Sequence, residues 1–185
     1  MYRTSSNNAV GNMKCLTGKH AFVLLIAAFT GVGTASDQGS DTDALMGVWR
    51  VDEITLRTPT GDGTNPDPQP GLFIFTNDHY SITWIPRPEP RPAFATPWKP
   101  TDEEIKGAYS SILFNAGTYQ LTGSTLRTRP IVSKVPDLSG GYADYHYRLE
   151  KNTLWLTMVD EYAADGTRAP WVGNISFPLK LTRIE

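Results

Sequence analysis

From Met46 onward, apolar and polar residues alternate with a period of two, broken by short clusters of glycine, asparagine, aspartate and proline. The alternation predicts a first strand over about 46–57, then a hairpin of 72–76 and 79–85 turning at Asn77-Asp78. Two more hairpins follow: 117–122 with 125–133 across Gly123-Ser124, and 142–150 with 153–160 across Lys151-Asn152. A last strand is expected over about 173–184. Reading pairs outward from each turn puts Phe73, Phe75, Tyr80, Ile82 and Trp84 on one face of the first hairpin. Thr76, His79, Ser81 and Thr83 fall on the other. In the next hairpin Tyr119 and Leu121 meet Leu126 and Thr128. In the third, Tyr145, Tyr147 and Leu149 share a face with Leu154, Leu156 and Met158. Phe177, Leu179, Leu181 and Arg183 take the same face of the last strand. One face is therefore buried and the other wet.

Two interruptions break the alternation. Residues 58–70 (TPTGDGTNPDPQP) are dense in turn-formers and predict a loop. Residues 86–100 contain six prolines and predict a stiff, extended excursion that cannot join a ladder. Thr101 then opens a helix, with Thr101-x-x-Glu104 as a capping box and Asp102, Glu103 and Glu104 at the positive end of the dipole. Ile105, Ala108, Tyr109 and Ile112 form one apolar stripe, expected to lie against the sheet or over one end of it.

The strands number eight, in hairpin order. Gly47-Val48-Trp49 opens the first and Arg183 ends the last. A Trp and an Arg so placed can close the base of a barrel, with the guanidinium over the indole in a contact worth about 0.5–2 kcal/mol. The expected fold is all-β: an eight-stranded antiparallel up-and-down barrel with one short helix between the third and fourth strands. Eight strands enclose an interior just wide enough for one small ligand.

Ahead of the strands, residues 1–36 read as an export signal. Lys14 and Lys19 precede the apolar run Ala21–Phe29, and Gly33-Thr34-Ala35 offers small residues for cleavage. The run is short for a membrane-spanning helix, so no stable span is expected once the signal is removed. Localisation is then periplasmic or secreted. Residues 37–44 read as a polar linker, leaving 45–185 as the barrel domain. With the leader gone, the 17 basic residues fall to 14 against 19 acids, a net of −5, which disfavours nucleic acid. Cys15, the chain's one cysteine, leaves too, so the mature domain forms no disulfide.

Several motifs in order carry a resemblance. They are Gly47-Val48-Trp49, Gly71-Leu72-Phe73-Ile74-Phe75-Thr76-Asn77-Asp78, Asn115-Ala116-Gly117-Thr118-Tyr119, and the Leu-rich strand–turn–strand Leu149 to Leu156. Over residues 45–185 the chain resembles the lipocalin-like domain proteins of bacteria and fungi. It departs from them at Arg127 and Arg129, where such proteins often carry His, and in its leader and proline-rich segment. The resemblance implies a lipocalin-like barrel that carries a ligand or, as in some relatives, acts as a cyclase, isomerase or lyase on an enclosed substrate.

Candidate chemistry follows from the inward faces. Glu53 continues the Trp49-Val51 period and is expected inside, where an unpartnered carboxylate holds its proton and can serve as acid or base. Tyr119 is its candidate catalytic partner. His146 alternates with Asp144 and Arg148 on the outer face, and becomes a candidate base only if a bulge turns it inward. The ligand-binding set is Phe73, Phe75, Tyr80, Trp84, Trp98, Tyr109, Tyr119, Tyr145, Tyr147 and Met158, with residues 86–98 as a flap at the rim. Core packing explains the rings, but several hydroxyls in one interior need partners, so a mixed apolar and hydrogen-bonding cavity is the alternative. It would suit a flat aromatic, terpenoid or polyketide-like molecule. His79 and His146 are the only histidines left after the leader, so no metal or other cofactor is expected. The primary reading is a binding protein for a small hydrophobic molecule. A cyclase, isomerase or lyase and a barrel simply filled by its own side chains are the alternatives.

Overall fold

The computed structural model describes residues 38–185, so the expected export signal lies outside the described residues. A helix α1 (Gln38–Leu45) runs into β1 (Gly47–Thr58), where a polar tether was expected. Then come β2 (Gly61–Asn65), β3 (Gly71–Phe75), β4 (His79–Trp84), α2 (Asp102–Ser110), β5 (Leu113–Thr122), β6 (Thr125–Ser133), β7 (Tyr142–Glu150), β8 (Thr153–Tyr162) and β9 (Leu179–Arg183). All pairings are antiparallel. The order β1-β3-β4-β5-β6-β7-β8-β9 closes on itself through β1–β9, giving an eight-stranded barrel. The ninth strand, β2, lies in the segment expected to be a loop. β1 is 12 residues long and outruns the barrel, and its far half, Ile54–Thr58, pairs with β2 instead.

The inward faces follow the expected alternation. Phe73, Phe75, Tyr80, Ile82, Trp84, Tyr119, Leu126, Tyr145, Leu154, Leu156, Leu179 and Leu181 are buried together. One end is stoppered. The Trp49 side chain is 0 % exposed, and its indole N–H donates to the Leu45 carbonyl at 2.9 Å. Arg183 lies over the ring with Cζ 4.2 Å from its centroid and donates to the carbonyls of Ala44 and Met46. Gly47 is required here: its φ is +135°, and a Cβ would sit 2.3 Å from the Glu185 carbonyl oxygen. α1 thus helps to seal the base.

Two bulges decide which acidic side chains enter the barrel. Between Val51↔Leu181 and Glu53↔Lys180, β1 carries Asp52 as an extra residue. The face switches, Ile54 becomes the buried residue opposite Leu179, and Glu53 shares the outer face with Lys180. The expectation that Glu53 points inward is corrected. Between Tyr145↔Met158 and Asp144↔Asp160, β8 carries Val159 as its extra residue. Glu161 therefore stands opposite the buried Ala143, on the inner face. Asp160, which an unbroken period would have turned inward, pairs with Arg168 at 2.7 Å outside.

α2 forms as expected, with both hydrogen bonds of the Thr101–Glu104 capping box. Its packing is another matter. None of its residues is buried, and Ile105 and Tyr109 are each 50 % exposed, so the apolar stripe does not press on the barrel. Polar contacts tether it instead. Tyr109 donates to the Lys134 carbonyl, and the Lys134 ammonium donates to the Tyr109 carbonyl while lying 4.7 Å from its ring. The proline-rich segment is tied to α2 by Arg91 to Ser111 and by the Ala95 N–H to Glu104. No helix among the described residues is long and apolar enough to cross a membrane.

Candidate functional site

Opposite the Trp49 stopper the barrel holds a cavity of about 600 Å3. Phe73, Ile82, Trp84, Leu113, Tyr145, Met158, Phe177 and Leu179 are among the residues that line it. All but Phe177 are strand residues of the inner face, so the alternation that builds the core also builds most of the chamber. Trp84 and Phe177 meet edge to face at 6.2 Å, which fixes one wall. The mouth is covered by residues 163–178 of the β8–β9 connection, which contribute Ala169, Pro170, Trp171 and Ile175 to the lining. The expected flap, residues 86–98, lines nothing inside.

Polar groups are few and clustered. The Tyr80 hydroxyl donates to Asn115 Oδ1 at 2.6 Å, and the Thr128 hydroxyl, on a residue 1 % exposed, donates to the Ala143 carbonyl at 3.3 Å. Burial pushes the Tyr80 and Tyr145 hydroxyls well above the usual range, with the nearby Glu161 charge adding to the effect. They stay protonated and act as hydrogen-bonding groups. Glu161 also lines the cavity. Burial raises its pKa above the ordinary carboxyl value, although a hydrogen bond from the Trp171 side chain partly offsets this. Lys134, Asp137 and Arg168 stand among the lining residues contributed by loops and strand ends, and burial lowers the Lys134 pKa.

Of the residues expected to bind ligand, Phe73, Trp84, Tyr145 and Met158 line the cavity. Tyr80 is buried and reaches the lining through Asn115. The remainder are corrected. Phe75 and Tyr119 pack edge to face at 5.4 Å near the stoppered end, and neither lines the cavity. The Tyr119 hydroxyl donates to the Thr76 carbonyl at 2.7 Å and is pushed up to about 12, chiefly by burial. It is a packing residue here, away from Glu161. Tyr147 points toward α1, with its hydroxyl 3.5 Å from Asp41 Oδ2. Trp98 is 95 % exposed and Tyr109 belongs to the outlying α2. Exposed His146 stays on the outer face, opposite Thr125 and Thr157, because the β8 bulge comes one pair later. Arg127, one of the departures from the family pattern, forms a two-pronged pair with Asp144 at 2.7 and 2.6 Å and lies 4.3 Å over the Tyr142 ring.

The residues missed are Glu161, Trp171 and the rest of the covering loop. Period counting from Leu154, Leu156 and Met158 selects position 160, and nothing in the side-chain pattern announces the extra residue Val159. Trp171 follows Ala169-Pro170 in a stretch without periodicity; a lone large aromatic in such a loop was the available signal.

Among the described residues, no group of three or more His, Cys, Asp or Glu is arranged to hold a metal ion. A search of curated proteins gives no match. A family model described as a lipocalin-like domain matches residues 46–172, from the Gly-x-Trp strand into the loop that covers the cavity. With the closed eight-stranded barrel and its enclosed chamber, that match establishes that the chain belongs to the lipocalin-like domain family, whose architecture is in general a ligand-binding one.

Proposed function

We propose that this protein binds a small hydrophobic molecule, with a flat aromatic, terpenoid or polyketide-like body, inside the barrel. The observation that carries the reading is the chamber itself: about 600 Å3, walled by Phe73, Trp84, Tyr145, Met158 and Phe177, with only a few polar groups to orient an occupant. That volume falls within the roughly 300–1,000 Å3 of ordinary small-molecule sites. The neutral dye N-phenyl-1-naphthylamine provides the test. Its fluorescence should rise saturably with the protein, and Leu113→Trp, which fills the wall, should abolish the rise without unfolding the chain. Absence of a saturable response, or binding that survives Leu113→Trp, refutes the reading.

A second reading, a cyclase, isomerase or lyase acting in the same chamber, is supported by Glu161. It is an enclosed carboxyl with a raised pKa and tyrosine hydroxyls nearby, a combination suited to proton transfer. It takes the acid–base role that unbroken alternation assigns to Glu53. If native mass spectrometry of protein from its own host finds a bound molecule, incubation with that molecule should yield product in the wild type and none in Glu161→Gln. An unchanged molecule in both refutes catalysis. Export belongs to the proposal as well, on the strength of the basic and apolar leader. Mature protein beginning near residue 36 or 37 would support it, and retention of the leader on cytoplasmic protein would refute it.

A further inference from the structure

A carboxylate in an apolar chamber is costly unless a proton, a basic side chain or a ligand compensates it. Glu161 has no basic partner within ion-pair distance among the described residues. The two bases that line the same cavity are engaged elsewhere. Arg168 is paired with Asp160 at 2.7 Å, and the Lys134 ammonium is held by the Tyr109 carbonyl at 3.0 Å. The groups closest in effect to Glu161 are the Trp171 side chain, which hydrogen-bonds to it, and the Tyr80 and Tyr145 hydroxyls. Asp137, the other acid in the lining, adds negative charge rather than removing it. An indole N–H is a donor only, so Trp171 stabilises Glu161 as an acceptor and leaves the rest of the carboxylate free to meet an occupant.

The rings matter as much as the charge. Phe73, Trp84, Tyr145, Trp171 and Phe177 surround the chamber, and aromatic faces attract cations. An unpaired carboxylate ringed by aromatics selects one class of ligand by charge. An ammonium is attracted by both features, a neutral polar group gains only a hydrogen bond, and a carboxylate is repelled.

We propose that the occupant is an organic cation: a hydrophobic amine whose apolar body fills the chamber and whose protonated nitrogen sits at Glu161. This rests on the hydrophobic-ligand reading above and narrows it.

Three probes that share one body provide the test: 3-(1-naphthyl)propylamine, the corresponding alcohol and the corresponding carboxylic acid, each titrated calorimetrically at pH 8. In the wild type the amine should bind about tenfold or more tighter than the alcohol, and the acid weakest of the three. Glu161→Gln should erase the amine's advantage over the alcohol. Trp171→Phe, which keeps a ring but removes the donor, should retain an advantage for the amine. An amine no tighter than the alcohol in the wild type, or an advantage that persists in Glu161→Gln, overturns the inference while the chamber reading stands. If neither the three probes nor the neutral dye bind, the chamber reading falls and the inference with it.

Discussion

Replacing Trp49 with alanine probes the closure on which the barrel depends. The side chain is 0 % exposed, so truncation removes a whole core aromatic, at a cost of about 3–5 kcal/mol. The Leu45 carbonyl loses its 2.9 Å donor at the same time, which pushes the cost toward the upper end of that range. Domains are stable by only about 5–15 kcal/mol, so the variant should melt about 10–20 °C below wild type. Near-UV circular dichroism and urea titration are the assays of choice. The share due to the guanidinium is separable by a double-mutant cycle of Trp49→Leu and Arg183→Met. Arg183→Met alone also loses the contacts to Ala44 and Met46, but the coupling isolates the 4.2 Å ring contact and should be about 0.5–2 kcal/mol. A loss under about 1 kcal/mol for Trp49→Ala would refute a sealed, close-packed base.

Glu161→Gln should stabilise the unliganded protein in a pH-dependent way. Burial raises the folded-state pKa, so the folded chain holds its proton longer than the unfolded one, and wild-type stability falls as pH climbs from the ordinary glutamate range through the raised value. Melting curves of the two proteins should coincide near pH 4 and separate above it, with the variant higher; a constant gap contradicts the buried placement. Thr101→Ala removes a capping box worth about 0.5–2 kcal/mol to α2. Since α2 buries nothing, hydrogen exchange across 105–110 should accelerate while the global midpoint stays put, and a lowered midpoint would mean that the helix is docked after all. Leu113→Trp should block dye binding with little change in stability, as read from fluorescence titration and melting together.

Most of the architecture was legible because alternation is a physical signature: a strand with one buried face must repeat every two residues. Phe73, Tyr80, Trp84, Tyr145 and Met158 were all placed inside on that ground. The cavity's chemistry was harder to read because it depends on interruptions. Asp52 and Val159 are each a single inserted residue, and each resets the alternation beyond it. The first moved Glu53 out and the second brought Glu161 in. Strand ends were also misjudged: β5 begins at Leu113, four residues before the expected start, and thereby supplies Leu113, Phe114 and Asn115 to the chamber. The stripe of α2 had the right spacing for burial, but the helix is held by polar clasps at Lys134 and Glu104, and periodicity cannot reveal whether a partner surface exists.

With Trp49 stoppering one end and residues 163–178 covering the other, an occupant of the kind proposed would have to pass that loop. The same loop supplies Trp171, Ile175 and Phe177 to the lining, so it is cover and wall at once. Loosening it should speed uptake and release and, by withdrawing those side chains, also weaken binding, whereas altering Trp84 or Met158 should act chiefly through release. How long this barrel keeps a guest, and how tightly, are therefore coupled through that one connection.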